Sequence, residues 1–197
     1  VPLILDYRDP LTYGALAAWE NEAARQAGLW WECRVLGQAA RVVFASDMTR
    51  ERMAELYPDL STRFLTIPSG FDRAAPIAPP GPVVSRSRMA IAFVGSLYAH
   101  RPPDAFLQAL RLVVDTHPEV AASIHVEFVG RCESAREAAA SLDLDAWVTA
   151  TPTVPVADSR RRMRDSDVLL LLQTRDDQSD CVSGKVYEYL AAGRPIL

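Results

Sequence analysis

Met89-Ala-Ile-Ala-Phe-Val-Gly95 is apolar at every position before its closing glycine. A strand wetted on one face alternates apolar and polar residues. A strand with no polar position needs cover on both faces, the situation of a parallel sheet with helices above and below it. Val168-Leu-Leu-Leu-Leu172 repeats the pattern. Outward from these two, further strand candidates are Val1–Tyr7, Arg41–Ser46, Phe64–Pro68, Ser123–Gly130 and Trp147–Ala150, with the last apolar run read as Asp167–Leu172. Helical periodicity falls between them, at Ala15–Gln38, Met48–Tyr57, Pro103–Thr116, Ala135–Leu142, Asp158–Arg164 and Gly184–Ala192. Strands alternating with helices over short connections predict right-handed crossovers and a doubly wound α/β fold.

The rhythm breaks once. Ser69–Arg88 carries four prolines and two glycines and has neither period, which is a linker composition. The chain therefore divides into residues 1–68, a linker at 69–88 and a second α/β unit at 89–197. In such folds ligands bind at the carboxyl ends of the strands, and a cleft between the two units is the expected place. Val1 and the closing Ile196–Leu197 both fall inside apolar strand candidates. The chain is thus expected to be a piece of a longer protein with both domains incomplete, aggregation-prone and inactive by itself.

Composition narrows the classes. With 197 residues, 49% of them hydrophobic, and a net charge of −4, the chain is an ordinary globular sequence and a poor candidate for nucleic-acid binding. No apolar run reaches the roughly 18 residues of a membrane span. Cys33, Cys132 and Cys181 have neither zinc-ligand nor disulfide-framework spacing and read as reduced cytosolic thiols.

The chemistry concentrates in Ser179–Leu197, S-D-C-V-S-G-K-V-Y-E-Y-L-A-A-G-R-P-I-L. An apolar strand runs through a polar loop into a helix beginning at Gly184, with Ser183 as a natural cap and Gly193 as a natural stop. The free N–H groups and positive dipole end of that helix suit an anion such as a diphosphate. Lys185 adds a full charge in the first turn, and it is the single Lys among 21 basic residues. Glu188 lies one turn on, along the same face. A carboxylate beside an anion site repels phosphate but accepts hydrogen bonds from a vicinal diol. The plain alternative is an i,i+3 ion pair between Lys185 and Glu188 on a solvated helix.

V-S-G-K-V-Y-E-Y-L-A-A-G-R-P-I-L resembles the donor-site motif of the group 1 glycosyltransferases, retaining enzymes of two-domain GT-B architecture. P-L-I-L-D-Y-R-D-P resembles a late strand and active-site loop of their first domain. R-V-V-F-A-S-D and I-P-S-G-F-D resemble its closing strands, and I-A-F-V-G-S-L-Y resembles the opening of the second domain. The resemblance implies two Rossmann-type domains and sugar transfer from a nucleoside diphosphate-sugar to a saccharide or lipid-linked hydroxyl acceptor. It places Glu188 on the donor ribose and Asp180, eight positions earlier, on the donor sugar. Gly95 falls where a loop approaches the donor phosphates, with Arg101 as a second phosphate ligand. Gly130 and Arg131 fall where a loop passes the nucleobase. Arg8 and Asp9 stand where many relatives have a His, facing the acceptor, and with Lys185 they are the catalytic candidates.

Each has a plain alternative: a surface acid at Asp180, a salt bridge or cap at Arg8 and Asp9, tight turns at Gly95 and Gly130, and a surface cation at Arg101. No cofactor and no metal are expected. Asp165 and Asp167, and Asp143 and Asp145, have metal-pair spacing, but Asp167 enters a buried strand and reads as a cap or edge acid. Arg160, Arg161, Arg162 and Arg164 read as a solvated helix face, with an anionic membrane surface as the alternative. Trp30 and Trp31 read as core and interface anchors. The expected location is cytoplasmic, with the inner face of the cell membrane as its peripheral form. Two other functions share the pattern: a nucleotide-sugar epimerase of the same fold, and a non-catalytic interaction module with a degenerate donor site.

Overall fold

The computed structural model describes residues 1–12, 19–71, 87–98, 102–173 and 182–197. Contacts divide the chain into two compact units, Val1–Gly70 with Thr174–Gly184, and Phe71–Gln173 with Lys185–Leu197. Most of the Pro-rich segment read as a linker, residues 72–86, lies outside the described residues.

In the first unit β1 (Ile4–Asp6), β2 (Arg41–Phe44) and β3 (Phe64–Thr66) form a parallel sheet in the order β1-β2-β3. Helix α1 (Glu22–Gln38) joins the first two strands, and α2 (Asp47–Leu56) with a 3-10 helix at Pro58–Arg63 joins the next two. Leu36, Val42, Phe44, Met53 and Phe64 make the core. The start of α1 differs from the sequence expectation of Ala15. Asn21 is extended and its side chain accepts from the Ala24 amide, so the side chain caps the helix there and the backbone leaves helical geometry. Trp30 and Trp31 do not enter the core. Their rings meet edge to face at 4.7 Å and are 55% and 58% exposed, because the inward face of α1 is formed by Glu32 and Leu36.

The second unit is built on β4 (Met89–Val94), β5 (Ile124–Val129), β6 (Val148–Thr151) and β7 (Val168–Leu169), all parallel, in the order β6-β5-β4-β7. Ile196 bridges to the free side of β7. Helices α3 (Asp104–Thr116), α4 (Pro118–Ala121) and α5 (Glu133–Ser141) pack with Ile91 and Phe93 on one face. Helices α6 (Val156–Asp165) and α7 (Gly184–Ala192) pack with Ala92 and Val94 on the other. The all-apolar β4 is thus covered on both sides, as its sequence required. Gly193 has φ +67° and ends α7 as a left-handed cap.

Tyr189 of α7 reaches under the sheet, fully buried. Beyond the short β7, the amide of Val94 donates to the Tyr189 hydroxyl at 3.0 Å, so a side chain replaces a missing strand partner. Tyr189→Phe keeps the volume and strands that amide. A loss of about 1–3 kcal/mol in chemical denaturation is expected, and an unchanged midpoint would show that Val94 finds another acceptor.

Candidate functional site

Sheet order places the site. The chain moves from β4 outward to β5 and β6, then crosses to the opposite side of β4 for β7. The reversal between β4 and β7 is a topological switch point, where a crevice opens at the carboxyl ends of the strands. Those ends carry Gly95 after β4 and Gly130 after β5. Gly95 has φ +139° and Gly130 φ +124°, backbone that L side chains rarely adopt. The Gly95 amide donates to Val129 O at 2.7 Å and the Gly130 amide to Thr151 O at 2.9 Å, so both turns extend the sheet hydrogen bonding.

Lys185, in the first turn of α7, folds over the first of these turns. Its Nζ lies 3.9 Å from the centroid of Phe93 and 3.4 Å from the Ser96 carbonyl oxygen, to which it donates. A Cβ on Gly95 would overlap Lys185 Cε and Nζ, so the glycine is what lets the ammonium sit on the backbone. A half-buried ammonium over an aromatic face is held by cation–π attraction. Among the described residues Lys185 forms no ion pair with Glu188, so the plain alternative of a surface i,i+3 pair is not the arrangement found.

The second turn is tied to the first. Leu97 N donates to Arg131 O at 2.9 Å, and Arg131 Nε donates to Ser96 Oγ at 3.2 Å. Cys132 donates its thiol to Gly95 O at 3.3 Å. Burial pushes that thiol up to about 11 against the opposing pull of Lys185, which keeps the proton on sulfur. The structure therefore brings Gly95, Gly130, Arg131 and Lys185 together. Ser96, Phe93 and Cys132 complete the arrangement and were not singled out in the sequence. Ser96 had a signal in its place directly after Gly95, whereas Phe93 and Cys132 looked like core and thiol only.

Glu188 is exposed on α7, Gly184 is exposed with open space where a Cβ would point, and Ser183 just before it is buried. Arg101 and Asp180 lie outside the described residues, as does Cys181. Arg8 and Asp9 belong to the first unit. Arg8 Nε is 3.2 Å from Asp6 Oδ2 and its guanidinium donates to Ser69 Oγ at 3.1 Å, while Asp9 is exposed. Asp9 does not cap α1, since Asn21 does. Asp167 accepts the Ala90 amide at 2.8 Å, a structural role at the foot of β4.

The basic run on α6 is not one solvated face. Arg162 pairs with half-buried Glu127, which also accepts from Thr151, and Arg161 pairs with Asp158 at 3.1 Å. That leaves less charge for an anionic membrane. No helix among the described residues is long and apolar enough to cross a membrane.

No family model matches the chain. It is 25% identical over 185 residues to the D-inositol 3-phosphate glycosyltransferase of Kineococcus radiotolerans, covering 86% of this chain and 42% of that protein. The fold matches HepE of Anabaena, crystallised with UDP and glucose, at a TM-score of 0.63 and 13% identity, over 99% of this chain and 52% of HepE. It also matches a trehalose-6-phosphate synthase studied for glycosyl transfer with retention, at a TM-score of 0.65 and 14% identity, over 95% of this chain and 49% of that one. The chain spans roughly half the length of the proteins it resembles, and its parallel α/β units share the GT-B fold of these glycosyltransferases.

Proposed function

We propose that the protein transfers a sugar, with retention, from a nucleoside diphosphate-sugar to a hydroxyl acceptor, and that residues 89–197 supply the donor site. The observation that carries this reading is the seat of the one Lys of the chain, on the Gly95–Ser96 turn at the switch point of the second sheet. Charge developing on the leaving diphosphate would be met there by the Lys185 ammonium and by the positive end of α7, with Arg101 as a second cation. Both cations are part of this chain, so the reading includes no metal and no further cofactor. Glu188, one turn along α7, accepts from the donor ribose, and Asp180 contacts the sugar. Gly130 and Arg131 pass the base. Arg8 and Asp9 face a saccharide or lipid-linked acceptor, at the cytoplasmic face of a membrane. HepE, crystallised with UDP and glucose, and the relative named for D-inositol 3-phosphate support donor and acceptor classes of this kind.

The test is calorimetric titration of the intact protein with uridine and UDP in excess chelator. Binding of UDP without metal is expected. Glu188→Gln removes an anionic acceptor while keeping the shape, and should weaken uridine itself by about tenfold, since a hydrogen bond to a charged group contributes about 1.5 kcal/mol or more. Unchanged uridine affinity would remove Glu188 from the site. Failure of the wild type to bind any nucleoside diphosphate would sink the reading and favour the interaction module. Release of an epimerised donor without transfer would favour the epimerase.

A further inference from the structure

Glu32 is 1% exposed, on the inward face of α1. A carboxylate taken out of water is costly unless donors surround it, and an apolar side chain of the same volume would avoid the desolvation cost altogether. Among the described residues the donors are five, and none of these is a cation. Oε1 accepts from the Tyr7 hydroxyl at 2.5 Å, the Leu11 amide at 2.8 Å and the Thr12 amide at 3.3 Å. Oε2 accepts from the Tyr57 hydroxyl at 2.7 Å and from the Thr12 hydroxyl. Burial, followed by the bond to Glu32, raises both phenols well above their ordinary range, so each stays a donor.

The placement of these donors is informative. Tyr57 follows α2 in the core and fixes the carboxylate from below. Tyr7 extends β1, its amide bonded to Val43 O at 2.7 Å, while Leu11 and Thr12 lie just past Arg8-Asp9-Pro10. One buried group thus grips the chain on both sides of a three-residue bend. Backbone amides held by a charged acceptor are bound more tightly than by a neutral carbonyl, so the path of the bend is specified rather than merely filled.

We infer that Glu32 is a positioning residue that sets the path of the Arg8–Asp9–Pro10 bend for work on the acceptor. The functional half of this inference rests on the transferase reading; the restraint itself does not.

Amide hydrogen exchange on the intact protein tests the restraint. Glu32→Gln should speed exchange at Leu11 and Thr12 by about tenfold or more, while Val42 and Val43 in β2 stay within about twofold. Glu32→Asp, which keeps both oxygens one methylene short, should fall between. Thr12→Val is half-buried and keeps its volume, so it guards against a Glu32 variant that does not fold, and it should shift the same amides by a smaller factor. Unchanged exchange at Leu11 and Thr12 would overturn the inference, and so would equal acceleration in β2, which marks plain destabilisation.

UDP release from UDP-glucose, with a saccharide acceptor, tests the function. A fall of about tenfold in kcat with an unchanged KM for UDP-glucose is expected for Glu32→Gln. A rise in that KM, or unchanged kinetics despite faster local exchange, would overturn the positioning role. No UDP release by the wild type would overturn the transferase reading and the functional half with it, and the exchange measurements would still decide the restraint.

Discussion

Lys185→Ala is expected to weaken UDP binding by roughly 10- to 150-fold while leaving uridine nearly unaffected. The range follows from the loss of one charge-assisted hydrogen bond, about 1.5–3 kcal/mol, at about 1.4 kcal/mol per tenfold. The seat of the ammonium explains why the loss should be selective. Lys185 Nζ is held over Phe93 and against the Ser96 carbonyl, at the carboxyl end of the central strand, and so points its charge where a helix end already favours an anion. Stability should fall by about 0.5–2 kcal/mol at most, the contribution of an ammonium over an aromatic ring. Lys185→Arg is not a conservative test. The planar guanidinium is bulkier than the ammonium, whose Cε and Nζ already lie so close to Gly95 that a Cβ would not fit between them, so it should restore UDP binding only in part. Calorimetric titration of both ligands against each variant decides the matter. Equal loss for uridine and UDP would mean that Lys185 acts through the fold and not on the diphosphate.

Much of this architecture was legible because its physics is local. An unbroken apolar run such as Ala90–Val94 has one economical explanation, cover on two faces, and that alone makes the sheet parallel. Helix α7 was readable to the residue, since Gly193 must turn left-handed to stop it. What was not legible depends on partners far off in sequence. Glu32 sits beside Trp31 and Cys33 and looks like a surface acid; its burial follows from Tyr7, Thr12 and Tyr57, each 20 or 25 positions away. The core half of the reading of Trp30 and Trp31 failed for the converse reason, because large apolar rings suggest a core that the geometry of α1 assigns to Leu36 instead. Gly95 and Lys185 were each noticed as suited to an anion, but nothing in their separate motifs shows that one rests on the other.

The two turn glycines should respond to the same substitution in different ways, and Gly130→Ala should be the more damaging to stability, by about 2–6 kcal/mol. Part of that is conformational, since positive φ strains any L residue by about 1–3 kcal/mol. The rest is overlap. A Cβ at Gly130 would run into the carbonyl of Gly95, which is backbone and cannot swing aside by changing rotamer. Relief requires the carboxyl ends of β4 and β5 to spread, at a cost of about 1–3 kcal/mol of the kind seen in overpacked cores. Against a typical total of about 5–15 kcal/mol, that approaches unfolding. Gly95→Ala carries a similar φ strain, but its Cβ meets only the tip of the Lys185 side chain, which can move. It should therefore lose less stability and show its main effect on UDP affinity, by lifting the ammonium off its seat. Gly37→Ala is the control, because a Cβ there meets nothing within 4 Å and the position is helical. It should be neutral or stabilising by up to about 1 kcal/mol. Denaturant midpoints of the three variants by circular dichroism, which reads the helices of both units, give the comparison. If Gly130→Ala unfolds no more easily than Gly95→Ala, the two turns are not packed backbone to backbone, and the close approach of the β4 and β5 ends is not what shapes the floor of the proposed donor site.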